Sequence, residues 1–183
     1  MFADGGSTGR VAGFVIKTPR FTIETPRRVG MSDVTLAKPF IQATINVLSA
    51  MAGLSPTPGA PYVKKTNQAQ GDVSAIVGIT GSKSGAVALS FSQSCAIALV
   101  KGMLGDAIED ILADTRDAVG EITNMISGQA RAGLSELGIP LQGSTPSVVF
   151  GANHTLTFPG QATIIAIPFS TEHGNFTLEF CFQ

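Results

Sequence analysis

The feature that most constrains this chain is a stretch of some thirty residues, Asp106 to Leu137, that contains no proline and repeats its apolar residues with a helical period. Asp106 followed by Glu109 has the pattern of a capping box at its start, and Gly138 with Pro140 ends it. Asp114 or Thr115 offers a second start, which would allow a kink there. At about 100° per residue the faces separate. Ile108, Leu112, Val119, Ile122, Ile126, Ala130 and Leu137 fall on one side; Asp117, Glu121, Asn124, Gly128, Arg131 and Ser135 fall on the other. A helix of this length and amphipathicity must cover one face of a larger apolar layer.

The partners for that face are legible on both sides. A first helix is expected over Val34–Ala52, capped by Ser32 or Asp33 and closed by Gly53, with Ile41, Thr44, Ile45, Leu48, Met51 and Ala52 on one face. After a Pro- and Gly-rich connection, strands are expected at Val73–Thr80 and Gly85–Phe91, joined by the turn Gly81-Ser82-Lys83-Ser84. Ser92 opens a short helix that Gly105 closes. Downstream of the long helix the pattern turns to strands: Ser147–Gly151, Thr155–Phe158, Ala162–Phe169 and Asn175–Phe182, the last two joined by Glu172-His173-Gly174. Alternation of Phe176, Leu178, Phe180 and Phe182 implies one buried face. The order gives an α/β (α+β) domain, an antiparallel sheet packed against helices, over residues 31–183.

Residues 1–30 differ from the rest. They carry five basic residues against two acids, whereas residues 31–183 carry seven basic and eleven acidic. They are expected to be a mobile upstream extension or a remnant of cloning; the alternative is an added strand pair within Val11–Thr25, which Pro19 and Pro26 interrupt.

Composition excludes several function classes. The chain is 44% hydrophobic and 14% charged, with a mean hydropathy of +0.29, which is a folded rather than a disordered composition. A net charge of −1 leaves no electrostatic footprint for nucleic acid. No apolar run approaches a membrane span, so no membrane insertion is expected, and a cytoplasmic location is the simplest expectation. Cys95 and Cys181 cannot form a disulfide framework and are expected in or near the core. His154 and His173 show no metal-ligand spacing with them. There is no Walker-type loop and no G-x-S-x-G elbow.

On the long helix, Glu121 and Asn124 are three apart and therefore neighbours on the surface. Gly128 lies a turn further on the same face, at a cost of about 1 kcal/mol against alanine, and leaves room for another backbone to approach. By periodicity alone an ordinary solvated face is the favoured reading of these residues.

The segment Gly120-Glu121-Ile122-Thr123-Asn124-Met125-Ile126-Ser127-Gly128 resembles the signature helix of the CheC/CheX/FliY family of bacterial chemotaxis phosphatases, and is most similar to CheX. Pro39-Phe40-Ile41-Gln42-Ala43-Thr44-Ile45-Asn46-Val47-Leu48 resembles that family's first helix, and Ile167–Phe176 its closing hairpin, so the resemblance spans about residues 33–182. It implies a CheC-like fold of two related halves and hydrolysis of the aspartyl phosphate of a CheY-like receiver. It further implies Asn124 orienting the water and Glu121 pairing with the receiver's lysine. Asp117, Gly128 and Arg131 would make peripheral partner contacts. No metal or cofactor of its own is implied; Mg2+ would sit on the receiver. A homodimer joined through its sheets is the implied state.

Aligning Asn46 with Asn124 pairs Leu48 with Ile126 and Ala52 with Ala130, an echo that points to an old duplication. Ala43 stands where the first copy would carry its glutamate, so Asn46 is expected to be a vestige and each chain to have one active helix. The alternatives from other classes are a receiver-docking module without hydrolysis and an unrelated scaffold.

Overall fold

A computed structural model describes residues 31–160 and 162–183; the expectations for residues 1–30 lie outside the described residues. The described chain runs α1 (Met31–Ala52), β1 (Thr57–Pro58), β2 (Tyr62–Lys64), β3 (Val73–Gly81), β4 (Gly85–Phe91), α2 (Gln93–Leu104), α3 (Ile111–Glu136), β5 (Leu141–Gly143), β6 (Ser147–Phe150), β7 (Ile164–Thr171) and β8 (Gly174–Phe182). All strand pairs are antiparallel. The sheet runs β1-β7-β8-β4-β3-β5, with β2 also on β7 and β6 also on β3.

This order carries the two related halves. Each half is a helix, a broken outer strand and a hairpin: α1, β1/β2, β3–β4, then α3, β5/β6, β7–β8, with α2 inserted between. The hairpins meet at β4 and β8, from Gly85 opposite Phe182 to Phe91 opposite Phe176. Each broken outer strand pairs with the hairpin of the other half, β2 with β7 and β6 with β3.

One sheet face packs on the helices. Phe40, Leu48, Val77, Val87, Leu89, Phe91, Leu99, Ile122, Ile126, Leu134 and Leu178 are fully buried there. Stacked rings thread it, Phe169 on Phe176 at 4.8 Å and Phe40 on Phe180 at 5.0 Å between centroids. At the α1–α3 crossing a Cβ on Gly133 would lie 3.4 Å from the Pro39 ring.

The single buried face expected from the β8 alternation is corrected: Thr177, Glu179 and Cys181, on the opposite face, are also buried. Leu156 and Phe158, from the connection between β6 and β7, cover it together with Ala69. The strand expected at Thr155–Phe158 is therefore a covering segment, with Thr155 in a lone bridge to Gln68. Within this layer Lys64 donates to Glu179 at 2.5 Å, and His154 bridges the Gly151 carbonyl and the Ser74 hydroxyl.

Boundaries shift for local reasons. Ser32 and Asp33 lie within α1. Gly53 (φ 64) ends α1 and Gly105 (φ 58) ends α2, where a left-handed backbone favours glycine. Ser92 holds the N-cap position of α2 but its hydroxyl caps no backbone N–H; Asp72 Oδ2 accepts from the Gln93 N–H instead, at 2.9 Å. The expected capping box at Asp106 and Glu109 is corrected to a cap four residues on. Asp110 Oδ1 accepts from Leu112 and Ala113 N–H, while Asp114 Oδ2 reaches back to the N–H of Glu109 and Asp110. That arrangement satisfies three donors that a helix start leaves unpaired, and the N–H of Glu109 just before it. No second helix start occurs at Asp114 or Thr115, and α3 is continuous from Ile111 to Glu136. Leu112 and Leu137, expected on the inner face, are exposed at the two ends of α3, and Ile108 precedes it.

Candidate functional site

The site rests on how firmly α3 is anchored. Val119, Ile122, Ile126, Ala130 and Leu134 are fully buried, along one stripe. Each such Val, Leu or Ile contributes about 1.5–3 kcal/mol on burial, so the opposite face of the helix is held in a fixed orientation. Thr123 is also buried and donates to the Val119 carbonyl at 2.7 Å, so it adds nothing polar to the outer face.

On that outer face Asp117, Glu121 and Asn124 are all exposed. They line one depression of about 420 Å³. Its floor is Gly120, where a Cβ would lie 3.4 Å from Val148 Cγ2. Its far wall is Thr145 and Pro146, from the turn between β5 and β6, with Val148 on β6. Among the described residues, neither the Glu121 carboxylate nor the Asn124 carboxamide has a hydrogen-bond or ion-pair partner. A carboxylate and a carboxamide one turn apart, unpaired on a rigid helix, offer acceptors and an N–H₂ donor to an incoming molecule.

The other two predicted contact residues lie elsewhere on the helix. Gly128 is half-buried; a Cβ there would lie 3.7 Å from a guanidinium nitrogen of Arg131. Arg131 Nε donates to the Ser127 carbonyl at 3.2 Å, and the guanidinium lies against Gly143 of β5. Arg131 is thus tied back to the sheet edge, outside the depression. The four lining residues that sequence reasoning missed are Arg116, Thr145, Pro146 and Val148. Arg116 was within reach, since it is four residues before Gly120 on the same helix. The other three depend on β6 pairing with β3, a contact no local pattern reveals.

On α1, Ala43 is buried and Asn46 is exposed, accepting from the Gln42 amide at 2.8 Å. The position aligned with Glu121 therefore faces the core. Cys95 and Cys181 are free and buried, and burial pushes both thiols up from their ordinary range. Among the described residues no three His, Cys, Asp or Glu side chains gather as metal ligands, and no helix is long and apolar enough to cross a membrane.

Comparison with known proteins agrees with this geometry. Residues 73–170 match the family model described as chemotaxis phosphatase CheX. The CheY-P phosphatase CheX of Thermotoga maritima is 26% identical over 139 residues, covering 75% of this chain and 88% of that protein. A crystal structure of the chemotaxis protein CheX from Desulfovibrio desulfuricans is 62% identical, with a TM-score of 0.78 over 81% of this chain and 99% of that one. The CheX of the Borrelia burgdorferi CheX–CheY–BeF3–Mg2+ complex shares the fold at 20% identity, with a TM-score of 0.69 over 85% of this chain and 99% of that one. A helix that presents Glu121 and Asn124 outward, the antiparallel sheet beneath it and these matches lead to one assignment: the chain belongs to the CheX family of chemotaxis phosphatases, with the CheC-like fold.

Proposed function

We propose that the protein hydrolyses the aspartyl phosphate of a CheY-like receiver domain and so ends a chemotaxis or two-component signal. The observation that carries this is the pair Glu121 and Asn124, exposed and unpartnered on a helix whose other side is locked into the core. The Thermotoga relative's name, CheY-P phosphatase, and the CheY-bound Borrelia relative support the same substrate.

The chemistry is hydrolysis of an acyl phosphate. A water oxygen attacks phosphorus, the bond from phosphorus to the aspartyl oxygen breaks, the carboxylate leaves and inorganic phosphate is released, its proton passing to solvent. Catalysis of this reaction is mostly positioning and charge stabilisation. In the proposed complex the cation comes with the receiver; the Borrelia complex contains CheY, BeF3 and Mg2+ together. Asn124 accepts from and donates to the attacking water, which a carboxamide can do without acting as a base. Glu121, three residues earlier, pairs with the receiver's lysine and fixes the angle at which α3 enters. Asp117, on the rim of the same depression, makes a peripheral contact; Gly128 lets the partner's backbone come close, and Arg131 contacts its edge.

The same proposal takes the protein as a cytoplasmic homodimer joined through its sheets. Sedimentation as a monomer at micromolar concentration would remove the dimer without touching the phosphatase. The deciding experiment measures loss of the phosphoryl group from an acyl-phosphorylated chemotaxis receiver of the same genome, with and without the protein. Faster decay that vanishes in Asn124→Ala supports the proposal. Binding to a beryllofluoride-loaded receiver without faster decay would instead make the protein a docking module.

A further inference from the structure

Arg116 stands apart from the other lining residues of the depression. Its guanidinium carbon lies 5.2 Å from the centroid of the Phe150 ring. Phe150 is held in turn: it pairs with Val73 across β6 and β3 and packs against the main core. A guanidinium over an aromatic face is attracted by the ring's quadrupole. Part of the freedom that a long side chain would lose on binding is therefore already gone.

No carboxylate among the described residues pairs with Arg116, although Asp117 and Glu121 line the same depression. Arg116 is thus the one cation among the described lining residues, facing two carboxylates. Without it the depression would present only negative charge to an anionic partner.

Orientation decides which anion it meets. Resting over the Phe150 ring, the guanidinium is turned toward β6 rather than along α3 toward Asn124, so the anion it meets in that pose is one on the β6 side of the depression.

We infer that Arg116, steadied by Phe150, is a docking residue: its guanidinium pairs with a carboxylate on the receiver surface flanking the phosphorylation site. This rests on the phosphatase proposal and adds the contact that sets affinity and encounter rate rather than the chemical step. A rim charge of this kind acts mainly on association and its salt dependence.

The test compares the full-length wild type, Arg116→Ala and Arg116→Lys with a phosphorylated receiver, at low and at high salt, alongside affinity for the beryllofluoride-loaded receiver. In Arg116→Ala, KM and Kd rise roughly three- to tenfold at low salt, kcat is unchanged, and the difference closes at high salt. Arg116→Lys restores much of the affinity, and melting temperatures of all three agree. A kcat loss at constant KM, or a KM within twofold of wild type at low salt, overturns the docking role while leaving the phosphatase standing. A wild type that binds the loaded receiver but does not speed hydrolysis overturns the phosphatase; if Arg116→Ala then still weakens binding, the docking role survives it.

Discussion

Replacing Asn124 by alanine should move stability and activity in opposite directions. Asn124 is exposed in the interior of α3 and bonds to none of the described residues, so its loss breaks nothing in the fold. Alanine is the better helix former by up to about 0.7 kcal/mol. In a domain of this size 1 kcal/mol corresponds to about 2–4 °C, so the melting temperature should hold or rise by up to about 3 °C. The rate should fall by about 10²-fold or more, the scale of losing one positioning contact. The assay is single-turnover decay of the phosphorylated receiver at saturating phosphatase, which separates the chemical step from binding, with calorimetry on the same samples. An unchanged rate would refute the water-positioning role. A fall of more than about 5 °C would refute the claim that the side chain stands free of the fold.

Three further outcomes follow from the geometry. Glu121→Gln keeps the shape of the side chain and removes its charge; it should weaken receiver affinity and slow turnover together, and titration with the beryllofluoride-loaded receiver reads the first. Ala43→Glu forces a carboxylate into a buried position on α1; urea unfolding should show a loss of at least about 1–3 kcal/mol from overpacking alone, with no second catalytic site gained. Burial raises the Glu179 carboxyl above the ordinary glutamate range, against the opposing pull of Lys64. The folded form therefore holds its proton to higher pH than the unfolded chain does, so the stability this group contributes is full below the ordinary range and is lost as pH rises through the raised value. Melting temperature should drift down across that window, and Glu179→Gln should remove the drift.

What the sequence revealed was what periodicity governs. The inner stripe of α3 from Val119 to Ala130 and its outer face were readable because a buried helix side cannot be polar without cost. The hairpin of β3 and β4 was readable from its turn. The start of α3 was not, because Asp106 with Glu109 and Asp110 with Asp114 are both capping patterns. Three-dimensional context chose the second, leaving Leu112 exposed. The strands β1, β2 and β5 went unseen: two or three residues carry no period, and each forms only against a distant partner. Likewise Glu179, in the middle of β8, reads as a solvent-facing residue until Leu156 and Phe158 fold over that side of the sheet. Half of the candidate site was legible for the same reason. Asp117, Glu121 and Asn124 share one helix, whereas Thr145, Pro146 and Val148 arrive through the register of β6.

The exchange of outer strands between the halves also sets an order of assembly. A chain leaving the ribosome completes β3 and β4 well before the second half exists, and Tyr62 must wait for Ala166 to be made. The β3–β4 hairpin stays open along both edges until β6 and β8 close on it. Pairing at such sequence separation is slow. Neither half can seal its own sheet, and the wall of the depression at Thr145 and Val148 is seated by β3, an element from the opposite half. A chain cut after α3 would carry Glu121 and Asn124 yet lack Thr145, Pro146 and Val148, so the framed depression is a property that only the longer chain acquires.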